Sequence, residues 1–220
     1  MFENILYKIK NPVTNLIEKS QEEDLKKSGI KLIIVSAVMA LINTISTVIS
    51  IHTRYQSKGF FSYYSPAELS ELRAKAIKEA ELFPNFFKTT IILAIAMALI
   101  ALVLFIIAKI VKSPREYSSN LSMVNNTVII YTIGSILKLI LSAIYAPLGI
   151  IVGFVITTYA LFTLINGFRD SLDIESSDKL VLALTGLSSV IVIILALVLS
   201  SVIKSSLGGI GLSSALSLLN

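Results

Sequence analysis

The chain has 220 residues, of which 55% are hydrophobic and only 15% charged, with a mean hydropathy of +0.82, a formal charge of +5 and no cysteine. Soluble domains carry about 25% charged residues, so this composition cannot cover a water-facing surface and points to a membrane protein. It also excludes disulfides, thiolate metal sites and cysteine nucleophiles, and the single histidine, His52, leaves little imidazole chemistry. No cofactor is expected.

Residues 1–30 do not read as a signal peptide, because Lys8, Lys10, Glu18, Lys19, Glu22, Glu23 and Asp24 interrupt any apolar run. Phe2, Ile5, Leu6 and Ile9 instead fall at helical spacing. Asn11-Pro12 breaks the pattern and Val13, Leu16 and Ile17 resume it. This predicts short amphipathic helices on the membrane surface, with a solvated tail as the bland alternative.

The first predicted span is 32–51. Ser36, Asn43, Thr47 and Ser50 are spaced seven, four and three apart and share one helix face. Polar groups in lipid are costly unless paired, so the stripe is expected to face other helices, as packing glue or as a polar pathway.

Residues 52–88 form the longest loop. Ser65-Pro66-Ala67-Glu68 has the pattern of a capping box with proline at the first helical position, which predicts a helix over about 66–82. Leu69, Leu72, Ala76, Ala80 and Phe83 mark its apolar face, and Glu71–Lys75 and Lys75–Glu79 are opposite charges four apart. Phe60, Phe61, Tyr63 and Tyr64 before it, and Phe86 and Phe87 after it, suit interfacial anchoring. The helix reads as resting on the bilayer, or as a lid.

The second span, 89–108, is nearly all Ile, Leu, Ala and Val, and Ser113-Pro114 turns the chain after it. The third, 124–145, contains Lys138. Counted from Val124, this lysine lies about 21 Å into a core of ~30 Å. Its stem can snorkel to the far face, or its charge can serve a substrate or ion. Asn125 and Asn126 read as interfacial caps.

A break at Ala146-Pro147-Leu148-Gly149 leads to the fourth span, 150–168, and is short enough to force an antiparallel hairpin. Gly149 and Gly153, four apart, permit close helix approach. A charged loop with Arg169, Asp170, Asp173, Glu175, Asp178 and Lys179 precedes the fifth span, 180–203. The carboxylates there lack the Asp-x-Asp-x-Asp-Gly pattern of a calcium loop. Residues 204–220 are too short and interrupted for a sixth span. The expected fold is therefore all-α: one membrane domain, a polytopic bundle of five transmembrane helices, with short amphipathic helices at the N-terminus and in the first outer loop.

With the N-terminus cytoplasmic, Lys8, Lys10, Lys19, Lys26, Lys27, Lys31, Lys109, Lys112, Arg115, Arg169 and Lys179 fall inside. Arg54, Lys58, Arg73, Lys75, Lys78, Lys88 and Lys204 fall outside. Eleven against seven favours N-in, C-out. Lysines and arginines cluster at span ends rather than in one stripe, so nucleic acid is not an expected partner.

The pattern resembles the Yip1 family of five-span membrane proteins. The resemblance rests on Asn11-Pro12, the Ser113-Pro114-Arg115-Glu116-Tyr117 linker, Tyr131, the Pro147-Leu148-Gly149 turn and Tyr159, then Asn166-Gly167-Phe168 and Ser177-x-Lys179. It is strongest over residues 88–203. The Asp-Leu-x-Gly-Pro-like and Tyr-Gly-Tyr-Ser-like elements of the eukaryotic branch are absent, so the chain looks like a prokaryotic relative in the plasma membrane. The eukaryotic role, vesicle trafficking with Rab-type GTPases, is not implied by this match.

Three functions are weighed. The first is a non-enzymatic scaffold that binds membrane or cytoplasmic proteins, or itself, and organises the bilayer. The second is a small transporter or channel subunit with Lys138 and the span-one stripe lining a path. The third, an intramembrane enzyme, lacks paired acids or a Ser–His pair within the predicted spans.

Overall fold

The computed structural model describes residues 16–18, 20–21, 23–55 and 63–172, with the isolated helical positions 183, 186, 187 and 190. Five helices are continuous there: α1 (Leu25–Arg54), α2 (Pro66–Glu79), α3 (Leu82–Ile110), α4 (Tyr117–Ile144) and α5 (Ala146–Ser171). No strand occurs among the described residues. α1, α3, α4 and α5 are each long and apolar enough to cross a membrane, which makes four candidate spans. Apart from positions 183, 186, 187 and 190, the predicted fifth span lies outside the described residues, as do the tail and most of the N-terminal segment.

The first four predicted spans recur as helices, and each of these is longer than its apolar run. α1 begins at Leu25 rather than 32. Asp24 caps it by accepting a hydrogen bond from the Lys27 amide at 2.7 Å, and the exposed Lys26 and Lys27 hold their charges off the apolar body. α3 begins at Leu82 rather than 89. Glu81, left-handed at φ 43°, separates it from α2, so Phe83 belongs to α3 and not to the loop helix. There Phe83 and Phe87 stack edge to face at 4.8 Å.

α2 carries the predicted capping box in full: Ser65 Oγ accepts from the Glu68 amide, and the Glu68 carboxylate accepts from the Ser65 amide. Leu69 is its buried residue. The Glu71–Lys75 and Lys75–Glu79 pairs do not close into ion pairs among the described residues. α2 is instead tied to the end of α1 by Arg73, whose Nε donates to the Tyr55 carbonyl at 2.9 Å.

The most extensive pairing is α4 with α5, and α1, α3 and α4 pack mutually. Only Tyr145 separates α4 from α5. The expected break at Ala146–Gly149 is thus the first turn of α5, with Pro147 near its start, where a missing N–H costs nothing. The hairpin is antiparallel: Gly134 faces Ile156, Lys138 faces Gly153 and Ser142 faces Gly149.

The buried core lies toward the Leu25 end of α1, where Val35, Met97, Leu104, Met123, Leu164 and Phe168 close together. Leu16 joins it, and a methyl group on Gly167 would stand 2.7 Å from the Leu16 Cδ2. Apolar side chains also cover the outside of the bundle. Ile91, Ile95 and Ile110 are 59%, 55% and 68% exposed, and Phe154 and Phe162 are 73% and 61% exposed. Such a perimeter is too apolar for water and matches acyl chains. The described residues thus form a helical bundle whose four long apolar helices are compatible with an integral membrane protein.

Candidate functional site

Two polar regions interrupt the apolar bundle, one at each end of the α1–α4 pair. The first is closed. Lys31 Nζ donates to Glu23 Oε1 at 2.6 Å and to Asn126 Oδ1 at 2.7 Å, and Ser122 Oγ donates to Glu23 Oε2 at 2.7 Å. Asn125 Nδ2 donates to the Ser28 carbonyl at 2.8 Å. Burial alone would raise the Glu23 carboxyl, but the hydrogen bonds from Lys31 and Ser122 and the lysine charge outweigh it and hold the group below its ordinary 4.5. Asn125 and Asn126 are therefore buried ties between α1 and α4, not interfacial caps.

Arg115, in the link between α3 and α4, is nine-tenths buried beside this network. Its Nη2 donates to Ser20 Oγ at 3.2 Å, while Nε and Nη1 have no partner among the described residues. Desolvation pushes it down to about 10.

The second region is open. At the far end, a cleft of about 840 Å³ lies between α1 and α4. From α1 it is lined by Asn43, Ser46, Ser50, His52 and Thr53, and from α4 by Tyr131, Ser135, Lys138 and Ser142. Met39, Ile42 and Leu139 form apolar parts of its wall. Two helices running in the same direction place these polar positions side by side because each set recurs at three- and four-residue steps.

Of the expected span-one stripe, the cleft gathers Asn43 and Ser50, and Lys138 of the third predicted span joins them. Ser36 does not reach it. That side chain is fully buried and its hydroxyl donates to the Met97 sulfur at 3.5 Å, joining α1 to α3. Thr47 turns its hydroxyl onto the Asn43 carbonyl at 3.0 Å. Gly149 and Gly153 form part of the floor of the α4–α5 hairpin. A methyl on Gly153 would stand 3.0 Å from Lys138 Cδ and 3.5 Å from its Nζ, so the lysine stem lies across α5 at this glycine.

The cleft is rich in donors and poor in acceptors of full charge. Lys138 is exposed and makes no ion pair among the described residues, and α1, α3 and α4 contain no Asp or Glu. Asn43, Ser46, Ser50 and His52 likewise make no side-chain hydrogen bond among the described residues. Ser135 donates to the Tyr131 carbonyl, which leaves its oxygen as an acceptor.

Sequence reasoning missed Ser46, Ser135 and Ser142, met Tyr131 only through the family resemblance, and passed over His52, which falls in the last turn of α1. Tyr131, Ser135, Lys138 and Ser142 step by four, three and four, and Asn43, Ser46 and Ser50 by three and four. Those two matching registers were the available signal, but they speak only once α1 and α4 are known to be neighbours.

Compared with protein-family models, with curated proteins and with solved structures, the chain matches none.

Proposed function

We propose that this chain is a non-enzymatic integral membrane protein that binds a partner within or against the bilayer, similar in kind to the Yip1 family. The open cleft between α1 and α4 supports this reading most directly. It offers donors, a cation and apolar walls, the ingredients of a binding site. Among the described residues that line it, no carboxylate is present to work with His52 or Lys138 in proton transfer. The bilayer itself and other membrane or cytoplasmic proteins, or a second copy of the chain, are the proposed partners.

The proposed orientation places the Leu25 end of α1 in the cytoplasm of a prokaryotic cell. Lys26, Lys27, Lys31, Lys109, Lys112, Arg115 and Arg169 belong to that end of the described helices. The basic residues of α2, at the other end, alternate with Glu68, Glu71, Glu79 and Glu81. The cleft then opens toward the outside.

A photo-crosslinking amino acid at the exposed Lys112 and Glu116, and at Ser50 in the cleft, tests the partner reading in living cells. A small reproducible set of light-dependent protein products is expected. No light-dependent product, of protein or of lipid, above background at any of the three positions would overturn it.

The lysine in the cleft favours a second reading, a transporter or channel subunit. Solute flux in proteoliposomes that disappears in Lys138→Ala would support that reading, and equal flux in both proteins would remove the lysine from any path.

A further inference from the structure

We infer that the cleft binds a phosphate group, with Lys138 as its charged anchor. The inference rests on the reading of the cleft as a binding site and adds the chemical class of what occupies it. Lys138 lines the cleft near the end of a span with no carboxylate partner among the described residues, and a cation so placed at the edge of a low-dielectric region attracts an anion. The groups around it are of the same sense. Asn43, Ser46 and Ser50 on α1 have side chains without a hydrogen bond among the described residues, and Ser142 stands one turn further along α4 from the lysine. An occupant with several anionic oxygens answers a compact ammonium and scattered neutral donors better than a single planar carboxylate does.

The position fits a phosphate at the membrane surface. Lys138 is six residues from the end of α4, about 9 Å along the axis. Ile136, Leu137 and Ile140 on the same helix are 44%, 50% and 55% exposed, an apolar flank beside the polar cleft. A phospholipid can therefore set its phosphate on Lys138 with acyl chains along this flank, and a free phosphate can use the same anchor. Both sources present the same chemistry to the lysine.

The test uses the full chain in phosphatidylcholine nanodiscs, with and without phosphatidylglycerol, read by native mass spectrometry. Wild type is expected to retain phosphatidylglycerol over phosphatidylcholine. Lys138→Met should weaken that retention about tenfold, the worth of one charge-assisted hydrogen bond, and Lys138→Arg should preserve it. In phosphatidylcholine alone, inorganic phosphate should raise the thermal midpoint of wild type relative to chloride at equal ionic strength if the source is free phosphate. Retention or stabilisation that depends on Lys138 in either arm supports the inference and names the source. Wild type and Lys138→Met behaving alike in both arms would overturn it. In that case light-dependent capture at Ser50 separates the two failures: capture leaves a binding cleft of another chemistry, and no capture removes the binding reading as well.

Discussion

Gly149 of α5 lies directly against Ser142 of α4. A methyl group built on the glycine would overlap the serine hydroxyl and stand 2.7 Å from its Cβ and 3.0 Å from its Cα. The hydroxyl can rotate away, but the Cβ and the backbone cannot. In a bilayer such close approach matters because helices gain little from leaving lipid, and packing must supply the association.

Gly149→Ala should therefore cost about 1–3 kcal/mol by overpacking the hairpin. Ser142→Ala should not rescue it, since the serine Cβ remains in the way. Gly153→Ala should cost less, because what it meets is the flexible stem of Lys138. Thermal unfolding of the three variants in one detergent checks the order.

The Glu23–Lys31 pair sets an acid limit. The Glu23 carboxyl is held below 4.5 in the folded protein, so its contribution is complete above that value and is lost as pH falls through the lowered one. Stability should decline on acidification below about 4.5 in wild type. Glu23→Gln should be less stable at neutral pH by about 1–3 kcal/mol and less sensitive to acid. Lys31→Met removes a donor from a carboxylate whose side chain is only 21% exposed and should be at least as damaging. Denaturation curves across the acid range give both results.

Ser65→Ala removes half of the capping box and should cost α2 about 1 kcal/mol. Among the larger contacts α2 touches only α1, so the loss should be local. Hydrogen exchange over residues 66–70 should quicken while α4 and α5 stay unchanged.

Glu81 is a non-glycine residue in the left-handed region between α2 and α3. Glu81→Gly relieves that conformation at the cost of a looser unfolded chain, and the two oppose each other. The midpoint should move by less than about 1 kcal/mol in either direction, whereas Glu81→Val should lower it clearly.

These elements differ in how plainly the sequence announces them. Apolar runs located four helices, and Ser65-Pro66-Ala67-Glu68 located the start of α2, because both signals are local. The ends of the helices were not legible by the same rule. Ser118, Asn120 and Ser122 precede the predicted span start at residue 124, and Asn125 and Asn126 read as its interfacial caps. In the fold they are the first turns of α4, buried because Ser28, Glu23 and Lys31 come from elsewhere to meet some of them. Partners nearly a hundred residues apart leave no mark in a window of helical length. The cleft is hidden for the same reason. Asn43 and Lys138 were each conspicuous, but that they face one space depends on α1 and α4 running side by side.

The central claim is that this cleft is a water-accessible binding site opening on the side opposite the Leu25 end of α1. The chain has no cysteine, so single cysteines report position without background. Intact cells carrying Ser50→Cys, Lys112→Cys or Ile133→Cys should be treated with a membrane-impermeant maleimide. The account predicts that Ser50→Cys labels from outside, that Lys112→Cys labels only after permeabilisation, and that the 65% exposed, lipid-facing Ile133→Cys labels in neither case. Failure of Ser50→Cys to label from outside, with Lys112→Cys labelling in intact cells or Ser50→Cys silent even after permeabilisation, would contradict it.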